Sequence, residues 1–458
     1  MKRAFVLTTL LAVAGAALAQ THVLAEAQLP YGATKMIVRD YLSPATVSYI
    51  ATASQNFFAY ADAGNLMRCM PLDSRYDVRD MKVSGGNVYF CGQDTYLGRA
   101  FLGWFNVTDV LGGIDGYHIF NNFVTDTSSL SVIAISFEQL EINKGYDVQI
   151  ALVGSATGAP ACIVEVKLRA ISGPNQYTIG YPRRPNSVET MTNIVQNRNY
   201  FITGGTLFND FEAVSMRFFD KSHMFSAGPQ NRIYRYTSGH NPMVCYPRAK
   251  FAMSAIGDDT VATASYWSYS EGMSPTSYNN GYDGILINAY VISSTLAGVP
   301  SLNTAFSAKC SYFQPISESI IERMIYSKYD NHLYLLGRHG TPIGLQSMIS
   351  RIPIPPSATI NNTYLPGYDF KDIDNFYSSY KYVCTGIRYG EPENMAYYSK
   401  PAGPTYQCAQ KYLAPTTNEN FSCKVEEDPL GKESLPFDFL ITEPIETFII
   451  PIEIFCQH

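Results

Sequence analysis

The chain has 458 residues, of which only 16% are charged, with a net charge of −6 and a pI near 5.7. That balance excludes a nucleic-acid partner, because phosphates need a dense cationic face. Aromatic residues reach 13%, with 34 Tyr and 25 Phe, a composition that favours sheet over helix.

In chain order, the first nineteen residues, MKRAFVLTTLLAVAGAALA, place Lys2 and Arg3 before an apolar run that ends in Ala17-Leu18-Ala19. This is the pattern of a secretory signal peptide cleaved after Ala19. Residues 20–33 follow as a leader. The apolar run is shorter than the roughly 20 residues a helix needs to cross a bilayer, and no later stretch reaches that length. The expectation is an exported protein without a transmembrane segment, in the periplasm, at the cell surface or outside the cell. The residue immediately after the cleavage point is Gln20 rather than cysteine, so no lipid anchor is indicated.

From residue 34 to the end, helical periodicity is nearly absent, and short alternating or apolar runs are broken by Gly, Asn, Asp and Pro. The clearest unit runs from Val78 to Val107: a strand, the turn Gly85-Gly86, a second strand, a polar loop and a third strand. Similar units centre on turns near residues 55, 144, 198, 258, 330 and 379. Short aromatic segments between them, such as YHIF, QYTIGYP, RIYRYT and CSYFQP, supply a fourth strand. Seven four-stranded antiparallel units match the pattern of a β-propeller, in which radial packing covers both faces of each sheet. Runs apolar at consecutive positions, such as VYFCG and HLYLLG, suit such a sandwiched sheet.

Residues 34–458 thus resemble the β-propeller superfamily of WD40, kelch and YVTN proteins, as a divergent member similar to uncharacterised secreted bacterial propellers. No Trp-Asp dipeptide, kelch Gly-Gly pair or Asp-box recurs to name a narrower family. The resemblance implies an all-β, seven-bladed ring of four-stranded antiparallel blades, closed by strands from both chain ends. KMIVRDYL near residue 35 and the apolar tail from residue 439 are the candidates for closure. Two stacked β-sandwich domains are the alternative fold, but they do not call for one turn repeated seven times.

No HExxH, GxSxG, Walker or GxGxxG motif occurs. His332 and His339 lie on opposite faces of an ideal strand and do not share a metal. The pairs Asp372/Asp374 and Asp258/Asp259 read as calcium ligands or as solvated turn residues, more readily the latter. The nine cysteines are an odd number with no CxxC pair. They read mostly as buried free thiols, with Cys408 and Cys423 the pair best placed to be oxidised. Asn106, Asn361 and Asn420 begin glycosylation acceptor triplets.

In a propeller, the loops joining second to third strands emerge on one face with the inter-blade connections. Here those loops carry Gln93, Asp94, Tyr96 and Arg99; Asn209 and Asp210; Tyr266, Trp267, Tyr269 and Glu271; Arg338 and His339; and Arg388, Tyr389, Glu391 and Glu393. Aromatic rings beside carboxylates and guanidinium groups suit sugars or extended peptides. Trp267 is the leading ligand contact, and Trp104 reads as core. Two functions stay open. One is a non-catalytic scaffold that binds a glycan or a protein on this face. The other is a carbohydrate-active enzyme, a glycosidase or lyase, using Asp94, Asp210, Glu271, Glu391 and His339 around a central funnel. A monomer without cofactor or metal is expected.

Overall fold

A computed structural model describes residues 25–29, 33–40, 47–53, 57–62, 65–106, 116–125, 132–144, 148–168, 177–179, 190–206, 213–222, 233–237, 252–267, 282–294, 300–316, 319–328, 330–341, 344–354, 361–365, 368–374, 383–388 and 437–441. Every regular element among them is a β-strand. Strand β1 (Ala25–Leu29) opens the chain. The first meander is β2 (Ala33–Asp40), β3 (Val47–Ala53), β4 (Phe57–Asp62) and β5 (Asn65–Pro71). The second is β6 (Tyr76–Ser84), β7 (Asn87–Asp94), β8 (Arg99–Asn106) and β9 (His118–Phe120). The third adds a short strand, giving β10 (Val124–Thr125), β11 (Val132–Lys144), β12 (Val148–Ala156), β13 (Ala159–Leu168) and β14 (Tyr177–Ile179). Then come β15 (Asn193–Gln196), β16 (Tyr200–Thr206), β17 (Ala213–Asp220) and β18 (Ile233–Thr237). They are followed by β19 (Ala252–Ile256), β20 (Thr260–Trp267), β21 (Tyr282–Ser294) and β22 (Pro300–Ile316). The last complete meander is β23 (Ser319–Ser327), β24 (His332–Thr341), β25 (Gly344–Pro353) and β26 (Asn361–Leu365). The chain ends with β27 (Tyr368–Asp374), β28 (Val383–Arg388) and β29 (Phe437–Ile441).

Each meander forms its own antiparallel sheet in sequence order. One strand of each sheet, the first except in the five-stranded sheet, where it is β11, touches its counterpart in the next: β2 with β6, β6 with β11, β11 with β15, β15 with β19, β19 with β23, β23 with β27, and β27 again with β2. Sheets in a closed circle around their first strands make a β-propeller. The two-sandwich alternative is excluded.

Closure differs in detail from the expectation. The sheet of β27, β28 and β29 is completed on its outer side by β1, with Ala25 opposite Ile441 and Leu29 opposite Phe437. The segment around residue 35 instead forms β2, the inner strand of its own sheet. The turn near residue 55 therefore joins second to third strand, which accounts for the short spacing to Gly85-Gly86. Only the Phe439 end of the expected closing tail falls within the described residues.

The core lies between sheets. Val88 and Phe90 of β7 pack with Phe58 and Met70 of the preceding sheet. Tyr89 and Cys91 of the same strand pack with Phe137, Leu140, Ile150 and Cys162 of the following one. Consecutive apolar residues are needed because each sheet is covered on both faces. At about 25 cal/mol per Å² of apolar surface removed from water, each such seam contributes several kcal/mol per fully buried aromatic pair.

Cys91 is a buried free thiol, and Cys162 is buried as well. Burial pushes the Cys91 thiol up, with the negative charges of Asp80 and Glu138 adding to it. A raised folded value makes this contribution complete below the unfolded value and lost as pH rises through the folded one. Native protein treated with iodoacetamide at mildly alkaline pH should leave the Cys91 peptide unmodified by mass spectrometry, and denaturant should release it. Prompt native labelling of Cys91 would contradict this packing.

A second repeat underlies the first. The inner strands of five sheets shift register at one equivalent point: between Ala33 and Lys35, Val78 and Asp80, Phe137 and Gln139, Ile321 and Arg323, and Phe370 and Asp372. Four of these bulges lie beside a glycine of the second strand, Gly92, Gly154, Gly337 or Gly386. At Gly92 a Cβ would stand 1.8 Å from the carbonyl oxygen of Asp77, and at Gly154 1.9 Å from that of Ser136. Gly205 has the same relation to Thr190, at 2.0 Å. The bulge folds the inner backbone over the second strand, and only a residue without a side chain admits it.

Candidate functional site

Two polar clusters bear on the expected binding face and on the joining of the sheets, a loop tip and the hub. The tip is the turn Thr95–Gly98 between β7 and β8, on the face expected to bind. Asp94 closes it from below. Its Oδ1 accepts the backbone N–H of Tyr96 at 3.2 Å and of Leu97 at 3.1 Å. Its Oδ2 accepts Asn121 Nδ2 at 3.3 Å and pairs with the Arg75 guanidinium at 3.2 Å. Thr95 ties the turn to the incoming chain, donating both N–H and hydroxyl to the Arg75 carbonyl at 2.8 and 2.9 Å. Asp at this position competes well for neighbouring N–H groups, the usual basis of such turns.

The consequence is a rigid, outward tip. Tyr96 is 81% exposed and Leu97 45%, the only exposed large apolar side chains among the described residues. Beneath them the Arg75 guanidinium lies 4.6 Å from the centre of the Tyr76 ring. Asp94, expected from sequence to face a ligand, is fully buried and holds the loop. Gln93 is likewise engaged. It accepts Arg79 Nη2 at 3.0 Å, and Arg79 also pairs with Asp77 and Glu138. Burial works against the Arg79 charge, but Glu138 and Asp77 outweigh it and raise its proton affinity. Arg99 opens β8, directly across the ladder from Asp94.

The other expected contacts divide. Arg338 and His339 stand on the β24 ladder opposite Ser347 and Gln346, and so belong to a strand, not to a loop. Trp267 ends β20 opposite Gly284, and Arg388 ends β28 opposite Tyr368, each at the edge of the expected face. Asp210, Tyr269, Glu271 and Glu391 lie outside the described residues, as do Asn209, Tyr389, Glu393, Cys408 and Cys423. Trp104 is half-buried against the core and stacks on His118, ring centres 5.4 Å apart.

The hub was not foreseen as a site. The side chains just after the bulges bind the neighbouring sheets together. Asp80 accepts the Leu140 N–H at 3.0 Å, and Gln139 accepts the Ile194 N–H at 3.0 Å while donating to Asn193 at 3.2 Å. Arg323 grips both oxygens of Asp372 at 3.0 and 3.1 Å and lies 3.9 Å from Asp80. It links β23, β27 and β6. Lys82 pairs with Glu141 at 3.2 Å, and Gln196 donates to the other oxygen of Glu141 at 3.0 Å. Burial opposes the charges of Arg323 and Lys82. Asp372 and Asp80 for the first, and Glu141 chiefly for the second, overcome it and raise both.

Asp372 is therefore neither a calcium ligand nor a solvated turn residue. It is a buried strand residue paired with Arg323. Asp258 and Asp259 are exposed in the β19–β20 turn, as the solvated reading expects. A sequence signal for the hub did exist: a short run of apolar residues or threonine ending in glycine recurs in VYFCG, ALVG, YFITG, LYLLG and VCTG. Each marks a second strand, and the first strand before it carries the hub residue.

No family model and no characterised protein sequence matches the chain. Solved structures of similar shape include Sqt1 of Saccharomyces cerevisiae, 7% identical, spanning 81% of this chain and 96% of that one with a TM-score of 0.41. The WD40 domain of SCAP from fission yeast is 7% identical over 79% and 80% of the two chains, TM-score 0.40. The lectin of Aleuria aurantia, solved with α-methyl-L-fucoside, is 10% identical over 76% and 97%, TM-score 0.36.

Proposed function

We propose that this propeller is an exported, non-catalytic binding scaffold that holds a glycan or a protein on the face carrying the β7–β8 loop. The observation that carries the reading is the pairing of a fully buried Asp94 with an 81% exposed Tyr96 two residues later. Four contacts inside the protein are spent on presenting one aromatic ring to solvent. A side chain held in place before binding gives up little further freedom on contact. Tyrosine offers flat apolar area and a polar tip, which suits both ligand classes. Trp267 ends β20 at the same edge of its own sheet. Export rests on the N-terminal nineteen residues.

A glycan array and an immobilised peptide array probed with the purified mature chain test this. Wild type should bind at least one class, and Tyr96→Ala should weaken that binding about thirtyfold, the scale of a 2 kcal/mol contact. Its unfolding free energy should change by less than about 0.5 kcal/mol, since the ring packs against little. Binding unchanged in both Tyr96→Ala and Trp267→Ala would remove this face as the site.

A further inference from the structure

The shape and the hydrogen bonds of the β7–β8 tip narrow its ligand to one class, an inference that rests on the binding face proposed above. All four residues of the turn, Thr95, Tyr96, Leu97 and Gly98, are exposed, while Asp94 beneath them is fully buried. The tip is therefore convex. Gly98, at a φ of +62°, turns the chain straight back into β8. The polar groups of the turn are engaged inside the protein: the N–H groups of Thr95, Tyr96 and Leu97 and the Thr95 hydroxyl all donate to the Arg75 carbonyl or the Asp94 carboxylate. The second Asp94 oxygen is taken by Asn121 and Arg75. What the tip offers to solvent is a phenol ring and an isobutyl group on adjacent residues.

We propose that Tyr96 and Leu97 form a knob that enters an apolar pocket on the surface of a protein partner, with the tyrosine hydroxyl donating a hydrogen bond at the pocket's rim. A sugar is held by a concave site that covers most of its surface and places several polar groups around it. A convex tip encloses nothing, and its amides are already paired. Leu97, 45% exposed, adds branched aliphatic surface, which gives a sugar neither a flat face nor a hydrogen bond. The occupant must bring the concavity itself, as a folded protein does. A bilayer also accepts apolar side chains, but two of them bring less apolar area than a single acyl chain, which by itself anchors a protein only marginally. A protein pocket needs no such area, because one or two anchors seated in a desolvated pocket carry most of an interface's energy. An anchor already fixed by Asp94 loses little freedom on entry.

Photocrosslinking in the cells that export the protein tests this. Tyr96→p-benzoylphenylalanine is the probe at the tip, and Asp258→p-benzoylphenylalanine, in the exposed β19–β20 turn of the opposite face, is the control. Irradiation should join the tip probe to one protein that the control does not capture, and adding Leu97→Ser should abolish that adduct while the denaturant transition stays that of the parent. The captured protein, purified, should bind Leu97→Ser about tenfold and Tyr96→Ala about thirtyfold more weakly than wild type. A glycan or lipid adduct overturns the protein pocket yet keeps this face as a binding face, whereas no adduct of any class at position 96 overturns both. An adduct that survives Leu97→Ser, or a partner whose affinity ignores both substitutions, overturns the knob.

Discussion

Replacing Arg323 with methionine lowers the free energy of unfolding by about 3–5 kcal/mol, read from equilibrium denaturant transitions. The side chain is 12% exposed, and its closest partner, Asp372, is fully buried. Methionine keeps most of the volume but removes a charge that grips both oxygens of Asp372. The carboxylate is then left in a site that water does not reach, and Asp80 loses a nearby opposite charge. The cost is that of stranding buried charge, larger than the net worth of the pair itself. Combining Arg323→Met with Asp372→Asn should therefore recover part of the loss, because no buried charge remains on β27 at that point. A loss below about 1 kcal/mol for the single variant would show that the hub does not depend on this bridge.

Gly92→Ala costs about 3 kcal/mol by the same measurement, near the upper end for overpacking. The new methyl group would meet the Asp77 carbonyl oxygen at 1.8 Å, a backbone atom that cannot swing aside. To admit it, the bulge at Arg79 must straighten. That would pull Asp80 away from Leu140 and loosen the seam between two sheets. Gly85→Ala is the informative contrast. It has nothing within 4 Å but a φ of +63°, so its cost is the backbone strain alone, about 1–2 kcal/mol. If the two variants lose equal stability, the close approach at Gly92 is not what requires glycine there.

The binding face and the hub differ in how far sequence reveals them. Tyr96 is readable as an exposed loop residue because a polar loop between two apolar strands has nowhere else to go. The role of Asp94 was hidden, since a carboxylate in a loop has the same letter whether it meets solvent or caps the turn beneath it. Arg338 and His339 were misplaced because β24 runs five residues past its last apolar position, Leu336, and ladder pairing leaves no mark in composition. The hub pairs Asp80 with Leu140 and Arg323 with Asp372, partners 60 and 49 residues apart. No local pattern encodes such distances.

Strand content, the recurring turns and the two-faced apolar strands follow from sequence alone, because alternation and turn chemistry act over a few residues. The propeller could be inferred from their repetition. Only the tertiary structure decided which strands close the ring, since β1 and β29 meet across more than four hundred residues and β1, AEAQL, lies in the stretch read from sequence as a leader. It also decided the glycine requirement beside four of the bulges and the surroundings of the hub charges. Those depend on what the neighbouring sheet places within a few ångströms, and that is a property of the closed ring, not of any segment of the chain.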